Sequence, residues 1–161
     1  MELLLDVMGQ VKPICSKSHI SYWFELPEDT EKLYIDFAYS PKILEDRAKT
    51  KSLIETAIRK FISPELQVQY LEKWNSYLPL KNLLTISVDD PNQNRGAAHR
   101  HAPEQQLYIE ELDASPGLVS GHLVPGQWRI TISLHAVVTD ICDYSLQVFK
   151  GGAVDDSMGT E

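Results

Sequence analysis

Apolar residues recur at every second position through much of this chain. Ile20, Tyr22, Phe24 and Leu26 share one phase, and so do Leu33, Ile35, Phe37 and Tyr39. Leu84, Ile86 and Val88 form a third set, and Leu107 with Ile109 a shorter one. Trp128, Ile130, Ile132 and Leu134 alternate with Arg129, Thr131, Ser133 and His135. Cys142, Tyr144, Leu146 and Val148 line the last such segment, and Leu3–Met8 adds another candidate. Period-two alternation gives each strand one buried and one wet face, the habit of antiparallel sheets. Ser115-Pro116-Gly117 and Val124-Pro125-Gly126 place proline and glycine where a type II turn needs them. About seven strands with such turns predict a mainly β chain, an antiparallel β-sandwich of jelly-roll-like form.

Residues 45–78 change period. Leu44, Ala48, Leu53, Ile54, Ala57, Ile58, Phe61 and Ile62 recur at helical spacing. Ser63-Pro64-Glu65 reads as a new helix start, with Ser as N-cap and Pro at the first position. Leu66, Tyr70, Leu71, Trp74, Tyr77 and Leu78 supply a second apolar stripe, which Pro79 ends. The expected organisation is one sandwich domain over 1–150 with a two-helix insertion, followed by a frayed acidic tail over 151–161. The insertion should cover a face or an open end of the sandwich, because an isolated helix pair cannot hide its stripes.

The 161 residues suit one domain and can bury a sizeable core without a disulfide or metal staple. Fifteen basic against twenty-three acidic residues argue against nucleic acid or an anionic membrane as the main partner. The N-terminal stretch lacks the basic region of a signal peptide, and no apolar run reaches the ~18 residues of a membrane span. A soluble, cytoplasmic protein is the expectation.

Candidate chemistry is sparse. His99 and His101, two apart in an extended segment, point to one side and could share a Zn²⁺ or another divalent metal. Glu104, His122, His135 and Asp140 are the further ligand candidates, with no spacing to choose among them. The alternative is a polar loop whose histidines bond to backbone or water. Asp90-Pro91-Asn92-Gln93-Asn94 opens like a calcium loop, but Arg95 and His101 occupy the glycine and glutamate positions, so an Asx-rich turn is expected. Cys142 should face the core as an inert thiol with a raised pKa, and Cys15 sits in a loop beside Lys12 and Lys17. Trp23 is out of phase with its neighbours and is expected beneath the helical insertion; exposed, it would mark a contact surface. No nucleophile elbow, phosphate loop, CxxC pair or HExxH helix appears. Adjacent acids such as Glu110 and Glu111 point to opposite sides of a strand, which disfavours shared acid–base work.

Ser21-Tyr22-Trp23-Phe24-Glu25-Leu26-Pro27, Leu33 through Pro41, Asn82 through Asn92, Arg95 through His101, and Ala114 through Trp128 together resemble a known accessory domain. It is the N-terminal β-sandwich that precedes the barrel in PHP-type metallohydrolases of the carbaryl-hydrolase-like group. More distantly the pattern is similar to the bacterial pre-peptidase C-terminal sandwich. The resemblance spans residues 17–149 and is sharpest at the Pro-Gly turns. The family's D-x-H-x-H and H-S-D metal motifs do not occur here, and His99-Arg100-His101 lacks their flanking acids. The resemblance therefore implies an accessory part without catalytic residues or cofactor, with a PHP-type hydrolase barrel as partner in trans. Three functions follow as expectations. The first is a non-catalytic interaction module, the second a small metal-dependent hydrolase using His99 and His101. The third is a carbohydrate or peptide binder using Trp23, Tyr34 and Tyr108. An exposed edge strand would add a route to homo-oligomers.

Overall fold

The computed structural model describes residues 1–98 and 100–152. Among the described residues eight strands build two four-stranded antiparallel sheets. In chain order they are β1 (Glu2–Val11), β2 (Ser18–Leu26), β3 (Lys32–Ser40), β4 (Leu83–Asp89), β5 (Asn94–Ala98), β6 (Glu104–Glu110), β7 (Gly126–Ala136) and β8 (Cys142–Gly151). The first sheet runs β1-β8-β3-β6 and the second β2-β7-β4-β5. That pairing of first with last, second with seventh and so on inward is the jelly-roll order. The alternating segments are these strands, including the opening run, which forms β1. The alternation does not mark β5: Asn94-Arg95-Gly96-Ala97-Ala98 has no periodic apolar set and pairs with β4 through backbone. β8 also carries one residue, Gly151, that the sequence placed in the tail; residues 153–161 of that expected tail lie outside the described residues.

Register explains the core. Leu33, Ile35 and Phe37 of β3 stand beside Leu146 and Val148 of β8, facing Leu84, Ile86, Ile130, Ile132 and Trp128 of the other sheet. All are 0–1% exposed. Each such side chain contributes about 1.5–3 kcal/mol by leaving water. Cys142 belongs to this core, where burial pushes its thiol pKa up.

The two flanks between the sheets are closed differently. At the β5/β6 flank, residues 113–121 run along both edges. Ala97 N donates to Gly117 O and Val119 N to Arg95 O, while Ser115 N donates to Tyr108 O and Glu110 N to Asp113 O. Gly117 and Gly126 have φ of 92° and 127°, as the Pro-Gly turns require. Beneath the segment lies Arg95, 1% exposed. Its guanidinium donates to Val119 O (3.0 Å), His122 O (3.0 Å), Gly121 O (3.1 Å) and Asp90 Oδ2 (3.1 Å), and lies over the Trp128 ring. Asp90 Oδ1 accepts the Asn92 and Gln93 amides at 2.7 Å each, an Asx turn. Burial alone would raise the Asp90 pKa. The two amides and the Arg95 guanidinium outweigh it and hold the carboxyl below its ordinary value. At the β1/β2 flank a Tyr22 Oη–Tyr144 Oη hydrogen bond of 2.6 Å joins the sheets, and among the described residues β1 pairs with β8 alone.

The insertion joins β3 to β4. It comprises α1 (Arg47–Phe61), α2 (Pro64–Glu72) and a 3-10 turn over Trp74–Tyr77. Asp46 caps α1 by accepting the Lys49 amide. Ser63 precedes Pro64 as expected but makes no side-chain cap bond. The second helix stops at Glu72, short of the predicted stripe, and the chain tightens into the 3-10 turn before Pro79. A narrow neck roots the insertion. Ile43 bridges Lys81, Leu44 N donates to Leu80 O, and Asn82 N donates to Lys42 O. The buried Asn82 amide then ties the neck to the sandwich through Pro41 O, Thr139 Oγ1 and the Val138 amide.

Candidate functional site

α1 turns Thr50, Ile54 and Ile58 inward; a cavity of about 300 Å³ lies between its flank and Pro13, Val137 and Val138 at the end of the sandwich, and Lys49 of α1 pairs with Asp140 there. The insertion thus stands at one end of the sandwich, and its buried Ile54 and Ile58 lie outside the core cluster between the sheets. α2 is different: none of its residues is buried. Between the helices and the 3-10 turn lies an entirely apolar groove of about 350 Å³, lined by Ile54, Ile58, Phe61, Ile62, Tyr70 and Tyr77, among others. Of the lining residues, Phe61 is 70% exposed and Tyr77 43%. Apolar side chains held in an open groove mark a contact surface more often than a core.

The charge around this groove is opposite to the rest of the chain. Residues 42–81 carry eight of the fifteen basic residues and five of the twenty-three acidic ones. Arg47 and Lys51 both sit over the Trp74 ring, at 5.2 and 5.3 Å. At the other end of the sandwich an acidic cleft of about 460 Å³ gathers Asp29, Glu31, Glu110 and Glu111 with Lys32 and His122. The molecule is therefore polarised, basic and apolar at the insertion and acidic opposite.

The predicted site residues fall in separate places. His101 is exposed, and His99 lies outside the described residues. The further ligand candidates disperse. Glu104 begins β6, His135 Nε2 meets Thr85 Oγ1 at 2.8 Å, Asp140 pairs with Lys49, and His122 belongs to the acidic cleft. Among the described residues no group of three or more His, Cys, Asp or Glu could hold a metal. Cys15 is half-buried in the turn between β1 and β2.

Trp23 corrects the expectation that it lies beneath the helices. It stands on the outer face of the second sheet, 53% exposed, opposite Arg129, whose guanidinium reaches Asp89 Oδ2 at 2.9 Å. Period two identified its side of the strand but not what would cover that side. Tyr34 and Tyr108 face each other on the outer face of the first sheet, with Phe149 beyond Tyr34. Trp23 and the tyrosine pair therefore belong to opposite faces and form no single aromatic platform. Tyr108 Oη donates to Asp113 Oδ2 at 2.6 Å, which raises its pKa. One register step along, a shallow trough of about 470 Å³ is lined by Asp36, Gln106, Gln147 and Glu104, with Ala38 and Ser145 as its low floor. The alternation located these outward positions, but only the β3–β6 and β3–β8 registers bring them together.

No helix among the described residues is long and apolar enough to cross a membrane. No family model and no curated protein matches this chain. A crystal structure of a Sulfurospirillum deleyianum protein aligns over 91% of this chain and 99% of its own, at 10% identity and a TM-score of 0.32. A likeness that weak carries no argument about function.

Proposed function

We propose that this chain is a non-catalytic β-sandwich interaction module that docks a partner protein on its helical insertion. One observation carries the reading: Phe61 and Ile62 at the end of α1, Tyr70 of α2 and Tyr77 of the 3-10 turn line an open apolar groove, and no residue of α2 is buried. The basic surroundings favour an acidic, apolar segment as the docked element, because complementary charge steers encounter and apolar anchors supply affinity. The resemblance to PHP-type accessory sandwiches offers a partner class, a metallohydrolase barrel in trans. The test is co-expression of the full chain with such a barrel lacking its own sandwich. Copurification that Phe61→Glu and Tyr70→Glu each abolish would support the reading. A panel of barrels in which none is retained would sink the barrel assignment. Retention unaffected by either substitution would sink the groove.

A second reading has its own support in the trough on the first sheet. Carboxylates and amides beside a Tyr34–Tyr108 pair suit a polyhydroxylated ligand such as a sugar, with aromatic faces for its apolar side. Ligand-observed NMR against an oligosaccharide panel, with Asp36→Ala and Tyr34→Ala as controls, separates it from the first.

A further inference from the structure

Three cavities follow one another along the insertion, and neighbours share walls. The outermost is polar, about 270 Å³, and lined by Gln69, Tyr70, Lys73 and Tyr77. Tyr70 and Tyr77 also line the apolar groove. Ile54, Ala57 and Leu80 of that groove in turn line the cavity between α1 and the sandwich, whose far wall is Pro13, Val137 and Val138. Ala57 is exposed and is the smallest side chain that α1 contributes, so the step from one apolar space to the next is low there. From Ile62 back to Lys49 the two apolar spaces follow α1 for about 20 Å, the length of a long acyl chain.

The two ends of this track differ in charge. At the inner end Lys49 is already neutralised by Asp140. At the outer end Lys73 follows α2 one turn after Gln69, and Lys60 stands over the Phe61 ring at 5.4 Å. Among the described residues neither Lys60 nor Lys73 has an acidic partner, whereas Lys51 and Arg59 both approach Glu55. A free cation and two phenols at one end, with apolar walls behind them, suit a ligand that has one anionic head and a long apolar body. The inner cavity also discriminates among apolar bodies. An extended peptide threaded there would bury backbone N–H and C=O groups among apolar side chains, and a methylene chain would not.

We propose that the insertion binds a free long-chain fatty acid. Its carboxylate lies beside Lys73 and the Tyr70 and Tyr77 hydroxyls, and its chain runs through the groove and over Ala57 toward Val137 and Val138. The inference rests on the groove being a binding surface, as proposed above, and makes the acid a competitor of the docked segment for the same side chains.

Fluorescence titration of the full chain with cis-parinarate, a fluorescent long-chain fatty acid, tests the site. Displacement of the probe by laurate, hexanoate and dodecanol tests its two ends. The expected result is binding that saturates at one probe per chain and is displaced by laurate far better than by the short acid or the uncharged alcohol. Lys73→Glu should weaken probe binding about tenfold by removing the cation and repelling the carboxylate. Ala57→Trp, which blocks the passage between the apolar spaces, should weaken it as much. Both positions are exposed, and circular dichroism confirms that each variant is folded. Absence of saturable binding overturns the proposal, as does binding that neither variant changes. Displacement by hexanoate or dodecanol equal to that by laurate overturns it too. If the probe fails to bind while a barrel still copurifies through the groove, this inference falls and the docking reading stands; saturable binding without a copurifying barrel supports the inference and sinks the barrel assignment alone.

Discussion

Along the β5/β6 flank, a returning segment hydrogen-bonds to both sheet edges over a buried, fully engaged Arg95–Asp90 pair. Along the β1/β2 flank, two tyrosine hydroxyls meet, and among the described residues β1 pairs with β8 alone and β2 with β7 alone. The first arrangement demands specific partners. A buried guanidinium is tolerable only when its donors are satisfied, so it selects one loop path and rejects others. The second demands little of its surroundings. The same sandwich thus has one flank laced by a returning segment and one joined by a single pair of hydroxyls.

The comparison can be broken most severely at Arg95. Arg95→Met leaves the Asp90 carboxylate and the carbonyls of Val119, Gly121 and His122 without their donor. A loss of about 3–5 kcal/mol is expected, read from the urea midpoint. Hydrogen exchange should quicken at the amides of Ala97 and Val119 while β1 stays as it was. A uniform loss of protection would show that the flanks are not separate. Next comes Gly96→Ala. Its φ of 93° and the Gly117 carbonyl packed against it leave no room for a Cβ, so about 2 kcal/mol should be lost on the closed flank. Tyr22→Phe on the open flank removes one hydrogen bond, and about 1 kcal/mol is expected by the same denaturation.

The smallest effect is a pH signature that tells the flanks apart. Asp90 has a folded pKa below its ordinary 3.8, so its contribution is full above that value and is lost as pH falls through the lower folded value. Tyr144 has a folded pKa raised above 10.0, first by burial and then by its bond to Tyr22. Its contribution is full below pH 10 and is lost as pH rises toward the folded value. Acid should therefore weaken the closed flank and alkali the open one. Stability of Arg95→Met should fall less between pH 5 and 2 than that of the unaltered chain. Tyr144→Phe should flatten the fall above pH 10; unchanged slopes would refute the assignment.

The strands were legible because alternation is a local consequence of burying one face, and the helices because their stripes are local too. Beyond that reach lay whatever depends on meeting across the fold. Arg95 reads as one charge in a polar turn, and nothing nearby in sequence shows that Val119, Gly121 and His122 will surround it. β5 escaped because Gly96 and two alanines carry no pattern. The phase of Trp23 was read correctly and its cover was not, since the placement of the insertion depends on the neck and on Asn82. The groove was half visible: the stripe on α2 was plain, but its failure to be buried was not.

The neck between Lys42 and Asn82 has a consequence for how such a protein can change. Its two arms leave the sandwich side by side and bond to each other like the first rungs of a hairpin. Whatever hangs beyond them is a cassette: a short turn, or another reader altogether, could replace the helices without moving a core residue. Recognition and scaffold can then diverge at separate rates.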